Sequence, residues 1–189
     1  MLYIVGGVAR SGKSIVSREM LAKAGVPYFS LDFLMVGLAF GLPEAKVDPE
    51  APSYEIARRM WPIVRAICVN ILEVGIDYLI EGDSVFPAQA KELASSFPGQ
   101  VRSCFIGYPN IEAAAKVKAM HAHSALPNDW ISIYPPEVIL SFIQSMILLS
   151  QDFHAQCLET GIPFFDVSQT FSPILEDVVA YLRTGQTAA

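Results

Sequence analysis

The stretch Leu2-Tyr3-Ile4-Val5-Gly6 runs directly into Gly7-Val8-Ala9-Arg10-Ser11-Gly12-Lys13-Ser14 near the start of this chain. The second part has the spacing G-x-x-x-x-G-K-S. The apolar run before it is typical of a β-strand, and the segment from Ile15 to Ala24 after it is typical of a helix. Strand, glycine-rich turn and helix N-terminus form the context that a phosphate-binding loop, or P-loop, requires. We therefore predict that this stretch binds the phosphate chain of a nucleotide.

The residue types of the loop fit that chemistry. Gly7 and Gly12 permit a positive φ, so that successive backbone N–H groups can wrap around an anion at a helix N-terminus. Lys13 is predicted to reach the β- and γ-phosphates, and the Ser14 hydroxyl is predicted to complete a Mg²⁺ shell. We assign Lys13 a catalytic role. The predicted nucleotide contacts are Gly7, Ala9, Arg10, Ser11, Gly12, Lys13, Ser14 and Ile15.

Composition limits the class of protein. The chain has 189 residues, which suits one domain, and 52% of them are apolar. Its net charge of −6 argues against a nucleic-acid partner, because no basic run is available to neutralise a phosphate backbone. A single bound nucleotide needs only a local pocket, so this charge does not exclude one.

Cysteine usage and hydropathy indicate the compartment. The three cysteines are widely spaced among apolar neighbours, which is typical of reduced thiols in a cytoplasmic protein. No targeting segment is apparent, and the most apolar later run, Val138 to Leu149, is short of the ~20 residues that a membrane span needs. We expect a soluble, cytoplasmic protein that has no membrane partner.

Five apolar runs typical of strands alternate with segments typical of helices. This alternation predicts an α/β fold, in which a parallel sheet has helices on both faces and binds its ligands outside the carboxyl ends of the strands. The predicted strands are Leu2–Gly6, Val26–Leu31, Asp77–Glu81, Val101–Ile106 and Pro163–Val167.

The segments between the strands are assigned as follows. Phe33 to Phe40 is either a short helix or an apolar loop, and Pro62 predicts a kink or two abutting helices within Tyr54 to Val74. The segment His121 to Tyr134 has no clean period and is predicted to be a loop or lid. The other predicted helices are Ile15–Ala24, Ala88–Ser96, a helix capped by Asn110 that runs to about Met120, Pro136–Thr160 and Ser172–Arg183.

Three carboxylates stand at the predicted ends of strands. Asp32 follows the second strand, where it could accept a proton from an acceptor hydroxyl or orient that hydroxyl, although an aspartate there could equally cap the next helix. Glu81 and Asp83 end the third strand, where an acidic group near Mg²⁺ is expected. The pattern does not choose between these two as the metal-side acid, and Asp83 is also a candidate for acceptor binding.

Basic residues are candidates for binding anionic groups. Arg58, Arg59 and Arg65 lie on the predicted Pro62 helix, where they could clamp an anion of the acceptor or form a solvated face. We assign Arg58 and Arg59 to the acceptor site. The chain has no arginine between Arg102 and Arg183, so Lys116 or Lys118 is a candidate to neutralise phosphate beside the lid.

With these residues placed, the chain resembles the P-loop kinases of small molecules and nucleoside monophosphates. Tyr28-Phe29-Ser30-Leu31-Asp32 is similar to the second strand of chloramphenicol phosphotransferase-like enzymes, in which the aspartate is the catalytic base. Ile80-Glu81-Gly82 followed by Pro87 is similar to 2-phosphoglycerate kinase-like and adenylate kinase-like members. The resemblance implies a three-layer fold with the sheet order 2-3-1-4-5, the use of ATP and Mg²⁺, and a lid that closes over the acceptor.

The resemblance also implies a domain organisation. Residues 1–189 are expected to form a single P-loop kinase domain, with a helical segment on the acceptor side at about 33–75 and a lid at about 116–136. Whether such a domain acts as a monomer or a homodimer remains open.

The sequence thus predicts an ATP-dependent phosphotransferase that moves the γ-phosphoryl group of ATP to a hydroxyl or phosphate of a small-molecule acceptor. A nucleoside monophosphate kinase is one alternative, but the lack of arginines in the lid favours another hydroxyl-bearing metabolite. A non-catalytic nucleotide sensor or regulatory ATPase is a second alternative. The guanine-reading pattern N-K-x-D and the transporter signature L-S-G-G-Q are both absent, which argues against a regulatory GTPase or a transporter ATPase.

Overall fold

The five strands form one parallel sheet in the order β2-β3-β1-β4-β5, which confirms the predicted order. The structure, a computed structural model, describes residues 1–121 and 133–187. The strands are β1 (Leu2–Gly7), β2 (Tyr28–Ser30), β3 (Tyr78–Gly82), β4 (Val101–Gly107) and β5 (Phe164–Asp166). The helices are α1 (Lys13–Ala24), α2 (Leu31–Gly41), α3 (Ser53–Val74), α4 (Pro87–Ser96), α5 (Ala113–His121), α6 (Pro136–Thr160) and α7 (Ser172–Thr184), with a short 3₁₀ turn at Pro43–Ala45.

The strand β1 occupies the centre of the sheet and is buried along its whole length. Helices α1 and α7 pack side by side on one face of the sheet, and α3, α4 and α6 cover the other. A strand covered on both faces needs apolar residues at every position, which explains why β1 reads as a continuous apolar run.

The register of the parallel pairs brings the functional segments to one edge. Val5 of β1 lies opposite Glu81 of β3, and Ser30 of β2 lies opposite the same Glu81. Gly7 of β1 lies opposite Ile106 of β4. The P-loop, the start of α2 and the end of β3 therefore meet at the carboxyl edge of the sheet.

Several predicted element boundaries change. The strand β2 is only Tyr28–Ser30, since Leu31 already belongs to α2, and the alternative of an apolar loop after Asp32 is wrong. The helix α3 is a single element that runs through Pro62, so two abutting helices are not formed. The Pro62 side chain is exposed there. Water can therefore reach the helix backbone that the proline leaves without its hydrogen bond.

The first part of the predicted lid is helical. Lys116 and Lys118 belong to α5, which begins at Ala113, too far along the chain for Asn110 to cap it. The predicted lid itself lies largely in 122–132, outside the described residues.

The helix α6 is longer than the apolar run seen in the sequence. It spans 25 residues and is long and apolar enough to cross a membrane by length and composition. Of its most apolar stretch, 22% is buried within the protein. Its inner side packs on β4, β5, α4 and α5. Core helices of soluble proteins meet the same criteria of length and hydropathy, so α6 by itself is weak evidence for a membrane span.

Candidate active site

The P-loop has the backbone that its glycines were expected to permit. Gly7 and Gly12 have φ values of 133° and 102°, and Arg10 between them is also left-handed, with φ 62°. A Cβ atom on Gly12 would lie 2.8 Å from Cδ1 of Leu175 in α7, and one on Gly7 would lie 2.8 Å from the backbone nitrogen of Ile106. Side chains at either glycine would therefore distort the loop.

Lys13 is folded back over this loop. Its Nζ donates a 2.8 Å hydrogen bond to the carbonyl oxygen of Val8, and the residue is 9% exposed. The Ser11 hydroxyl is buried in the same loop and has no hydrogen-bond partner among the described residues. A buried, unpartnered hydroxyl and a buried ammonium group within one loop make a polar environment suited to an anion such as a phosphate chain.

Ser14 is joined to the end of β3. Its exposed hydroxyl donates a 3.1 Å hydrogen bond to Oε1 of Glu81, which is 3% exposed. Asp83 lies two residues further on, partly exposed, and its Oδ1 accepts a 3.1 Å hydrogen bond from the Ser84 hydroxyl. Glu81 and Asp83, between which the sequence pattern does not choose, thus have different neighbours in the structure.

No group of three or more histidine, cysteine or acidic side chains suited to a metal ion occurs among residues 1–121 and 133–187. Mg²⁺ does not need such a group when a nucleotide is present, because it commonly uses one or two protein oxygens together with waters and phosphates. Ser14 and Glu81 could supply those protein oxygens.

Asp32 lies at the second position of α2 and does not cap that helix. The Ser30 hydroxyl takes the capping role, since it accepts a hydrogen bond from the Asp32 backbone nitrogen at 3.4 Å. The alternative interpretation of Asp32 as a helix cap is therefore wrong, since its carboxyl group does not cap α2.

The Asp32 carboxyl group has an unusual acidity. Its pKa is raised from 3.8 to about 6, chiefly by desolvation and then by the nearby carboxylates of Asp83 and Glu81, against the opposing effect of Lys13. The residue nevertheless keeps a solvent-exposed surface. Both observations fit a carboxyl group on the wall of an open cleft, surrounded by protein but accessible to a small molecule.

Two side chains, those of Tyr108 and Lys116, hold the P-loop from outside. The buried Tyr108 donates a 2.8 Å hydrogen bond from its hydroxyl to the Ala9 carbonyl oxygen. Lys116 donates a 3.0 Å hydrogen bond to the Arg10 carbonyl oxygen, and its Nζ lies 4.1 Å from the centre of the Tyr108 ring. From the sequence, Lys116 was predicted only as a substitute for a lid arginine, and no role was predicted for Tyr108.

Lys116 is an unusual lysine because it is 7% exposed. Burial and the neighbouring Arg10 lower its pKa to about 8. We expect the Lys116→Met variant to bind Mg-ATP about tenfold more weakly, because it loses a charged hydrogen bond to the loop and a positive charge beside the phosphates. Isothermal titration calorimetry at pH 7 measures this effect.

Lys118→Met is the matched control for that experiment, since Lys118 is exposed on the same helix. Its affinity should stay within about twofold of the wild type. The wild type should also lose affinity above about pH 8, as Lys116 loses its proton, while the Lys116→Met variant should not. Equal affinities of the wild type and Lys116→Met at pH 7 would remove Lys116 from the nucleotide site.

The arginines of α3 do not meet the cleft acids. Arg65 donates from Nε to Oε1 of Glu92 in α4 at 2.7 Å, which makes it part of the outer surface. Arg58 and Arg59 are exposed on the same helix. Among the described residues, the ion pairs include none between an arginine and Asp32, and the charges that act on the pKa of Asp32 are those of Asp83, Lys13 and Glu81.

A group of polar residues lies at the carboxyl ends of β4 and β5. Asn110 donates from Nδ2 to Oδ2 of Asp166 at 2.9 Å and from its backbone nitrogen to the Ser168 hydroxyl at 3.0 Å. Asn110 therefore ties the end of β4 to the end of β5 and does not begin α5.

The geometry just described can be compared with that of known proteins. No protein-family model matches the sequence, and no curated protein matches it significantly. The structure is similar to a gluconokinase from Sinorhizobium meliloti 1021, with a TM-score of 0.57 and 19% identity over 96% of this chain and 90% of that one. It is also similar to the shikimate kinase of Bacteroides thetaiotaomicron, with a TM-score of 0.56 and 14% identity over 97% and 96%.

A sugar kinase from Janibacter sp. HTCC2649 is similar as well, with a TM-score of 0.53 and 14% identity over 96% of this chain and 94% of that one. The chain has the fold of these small-molecule kinases. At identities this low, the kinase fold is shared without the acceptor being indicated.

Proposed function

We propose that the protein is an ATP-dependent phosphotransferase that transfers the γ-phosphoryl group of ATP to a hydroxyl group of a small-molecule acceptor. One observation carries the proposal: the P-loop residue Lys13 lies close enough to the carboxyl group of Asp32 for its charge to lower the pKa of that group. A nucleotide-binding loop alone would serve a sensor equally well, whereas a carboxylate beside the phosphate site provides the acceptor side of a kinase.

The loop residues fit a bound phosphate chain. The left-handed backbone at Gly7, Arg10 and Gly12 and the unpartnered, buried Ser11 hydroxyl are the features that such a ligand would use. Lys13 would hold the β- and γ-phosphates and leave the Val8 carbonyl oxygen to do so. A Mg²⁺ ion bound with ATP supplies positive charge that neutralises the phosphates during transfer.

The reaction assigned to this site is a simple displacement. The acceptor oxygen forms a bond to the γ-phosphorus as the bond from that phosphorus to the β–γ bridging oxygen breaks, and ADP leaves. The hydroxyl proton passes to the Asp32 carboxylate. Because phosphoryl transfer has a loose transition state, Asp32 also contributes by orienting the hydroxyl before the proton moves.

We further infer that Glu81 is the metal-side acid, because it already binds the Ser14 hydroxyl at 3.1 Å. The Glu81→Gln variant should need at least about tenfold more Mg²⁺ for half-maximal ADP release, since a neutral amide is a poorer ligand for this hard cation. Asp83→Asn is the matched variant and should shift the Mg²⁺ requirement much less. A larger shift for Asp83→Asn would reverse the assignment.

The test of the function is acceptor-dependent ADP release. The purified protein with ATP and Mg²⁺ is screened in a coupled assay against sugars, phosphoglycerates, nucleoside monophosphates and uncharged alcohols. A kinase releases ADP faster when its acceptor is added. A sensor would instead show thermal stabilisation by Mg-ATP and no ADP release that depends on an acceptor. Preference for a nucleoside monophosphate would support the alternative of a nucleotide kinase, despite the missing lid arginines.

The remaining expectations stay proposals. All three cysteines are free and buried, and burial raises the pKa of Cys68 and Cys157 to about 12, which suits unreactive thiols of a reducing, cytoplasmic environment. The net charge of −6 supports ATP and a small acceptor as partners over nucleic acid. Neither a monomer nor a homodimer is favoured, and closure of the segment at about 116–136 as a lid is part of the proposal.

A further inference from the structure

The helix α2 carries an apolar surface that the fold does not bury. Phe33, Val36 and Phe40 are 72%, 47% and 78% exposed, whereas Leu31 and Leu38 on the other side of the helix are buried. We call the first three residues the apolar α2 face. Exposed phenylalanines at this density on one short helix mark a binding surface more often than an ordinary protein surface.

This face begins at the candidate catalytic carboxylate. With 3.6 residues per turn, Asp32, Val36, Phe40 and Phe33 occupy an arc of about 100° on the helix. Val36 is one turn from Asp32 and one turn from Phe40, so the apolar surface continues directly from the carboxyl group. The rest of a molecule whose hydroxyl group binds Asp32 therefore lies along the apolar α2 face.

The face is supported from below. The Phe33 ring meets the Phe29 ring of β2 edge to face, with 6.5 Å between ring centres. Such a contact fixes the ring orientation and lowers the entropy that a bound ligand would otherwise have to remove.

The charges around the face disfavour an anionic acceptor. Residues 26–45 contain Asp32 and Glu44 but no lysine or arginine, and the first basic residue after them is the exposed Lys46. Desolvation and the carboxylates of Asp83 and Glu81 raise the pKa of Asp32, and Lys13 is the cation among the groups that act on it. In the proposed function Lys13 binds the phosphates of ATP. A carboxylate or phosphate on the acceptor would thus meet carboxylates without the basic forks that normally recognise such groups.

We propose that the acceptor is an uncharged alcohol whose apolar body, aromatic or aliphatic, packs on the apolar α2 face while its hydroxyl group binds Asp32. This inference rests on the proposed function and specifies its substrate class. The hydroxyl oxygen forms the bond to the γ-phosphorus, ADP leaves, and the proton goes to Asp32, so the product is a phosphate monoester of that alcohol.

The experiment compares matched acceptors in the ADP-release assay. Phenyllactate and the phenylpropanediol in which its carboxylate is replaced by a primary alcohol share a ring and a secondary hydroxyl and differ at that one carbon. We expect kcat/KM to be at least about tenfold higher for the diol, and higher for it than for gluconate, phosphoglycerate or AMP. Faster turnover of the anionic acceptors overturns the inference and leaves the proposed function intact. Absence of ADP release with every acceptor overturns the proposed function and the inference with it.

Variants of the face give a second, independent readout. Phe33→Ala and Phe40→Ala should each raise KM for the diol about tenfold, because a ring contact is lost, and leave KM for ATP within about twofold. Leu158→Ala is the control, since Leu158 is 74% exposed on α6. Both phenylalanines are exposed, so these variants should fold. Unchanged KM values for the diol overturn the inference, as does a dimer in sedimentation experiments that the two variants dissociate while KM stays constant.

Discussion

The Lys13→Met variant is expected to lose acceptor-dependent ADP release by about 10³-fold or more in kcat/KM. In the proposed function, the Lys13 ammonium group neutralises charge on the β- and γ-phosphates as the phosphoryl group moves, and removal of such a group costs this much in enzymes of this chemistry. A coupled assay with saturating Mg²⁺ and the best acceptor measures the loss.

The variant should remain folded, which keeps the result interpretable. Lys13 is 9% exposed and its described hydrogen bond is to the Val8 carbonyl oxygen, so an unbranched apolar side chain of similar length fits the same space. Far-ultraviolet circular dichroism and a thermal melt check this point. Burial of methionine instead of an ammonium group should leave the melting temperature close to that of the wild type.

Lys23 provides the matched control on the same helix. Its Nζ lies 2.8 Å from Oε2 of Glu19, both side chains are substantially exposed, and such surface pairs contribute little to stability. Lys23→Met should therefore retain activity within about twofold of the wild type. If Lys13→Met kept more than about a tenth of the wild-type rate, the assignment of the loop to phosphate positioning would be wrong.

The P-loop could be predicted from the sequence because its backbone conformation requires particular residue types at fixed positions. A left-handed conformation at Gly7 and Gly12 is accessible to glycine at little cost, and the observed φ values are 133° and 102°. The alternation of apolar runs with helical segments likewise predicts a parallel sheet, since parallel strands need crossover helices. The strand order came from the resemblance to P-loop kinases, because alternation alone is compatible with several orders.

Boundaries were less predictable where two local preferences compete. The mostly apolar run continues from Val26 to Leu31, yet in the described part of the chain β2 pairs with β3 alone and ends at Ser30. The Ser30 side chain favours a helix cap, and the helix therefore begins inside the apolar run. The same competition moved the cap from Asp32 to Ser30, a change of two residues that frees the carboxyl group for chemistry.

The contacts that join distant segments could not be predicted at all. The hydrogen bonds from Ser14 to Glu81 and from Lys116 to the Arg10 carbonyl oxygen each link different elements at the sheet edge. No periodicity encodes such pairs, since they depend on how the strands are ordered and registered. The apolar α2 face was similarly hidden, because an apolar segment such as Phe33 to Phe40 indicates burial until the structure shows which residues stay exposed.

The Asp32→Asn variant is expected to reduce kcat for the authentic acceptor by about 10²–10⁴-fold. An asparagine keeps the size and position of the side chain but cannot accept the hydroxyl proton, which is the contribution of a general base. Asp152→Asn is the control, since Asp152 is an exposed carboxylate on α6. An unchanged rate for Asp32→Asn would show that Asp32 is not the base.

The same substitution is expected to stabilise the fold above about pH 6, and this opposite effect separates a functional role from a structural one. Desolvation first, and then the neighbouring acids, raise the pKa of Asp32 to about 6, so its charged form weakens the folded state at neutral pH. The neutral asparagine removes that penalty, and the melting temperature should rise at pH 8. Below the ordinary value of 3.8 the carboxyl group is protonated in both the folded and unfolded states, and the difference should disappear. A variant that melts at a higher temperature yet turns over far more slowly would indicate that the Asp32 carboxylate serves the chemistry. Substitution of a residue that is retained for stability would instead lower both the melting temperature and the turnover.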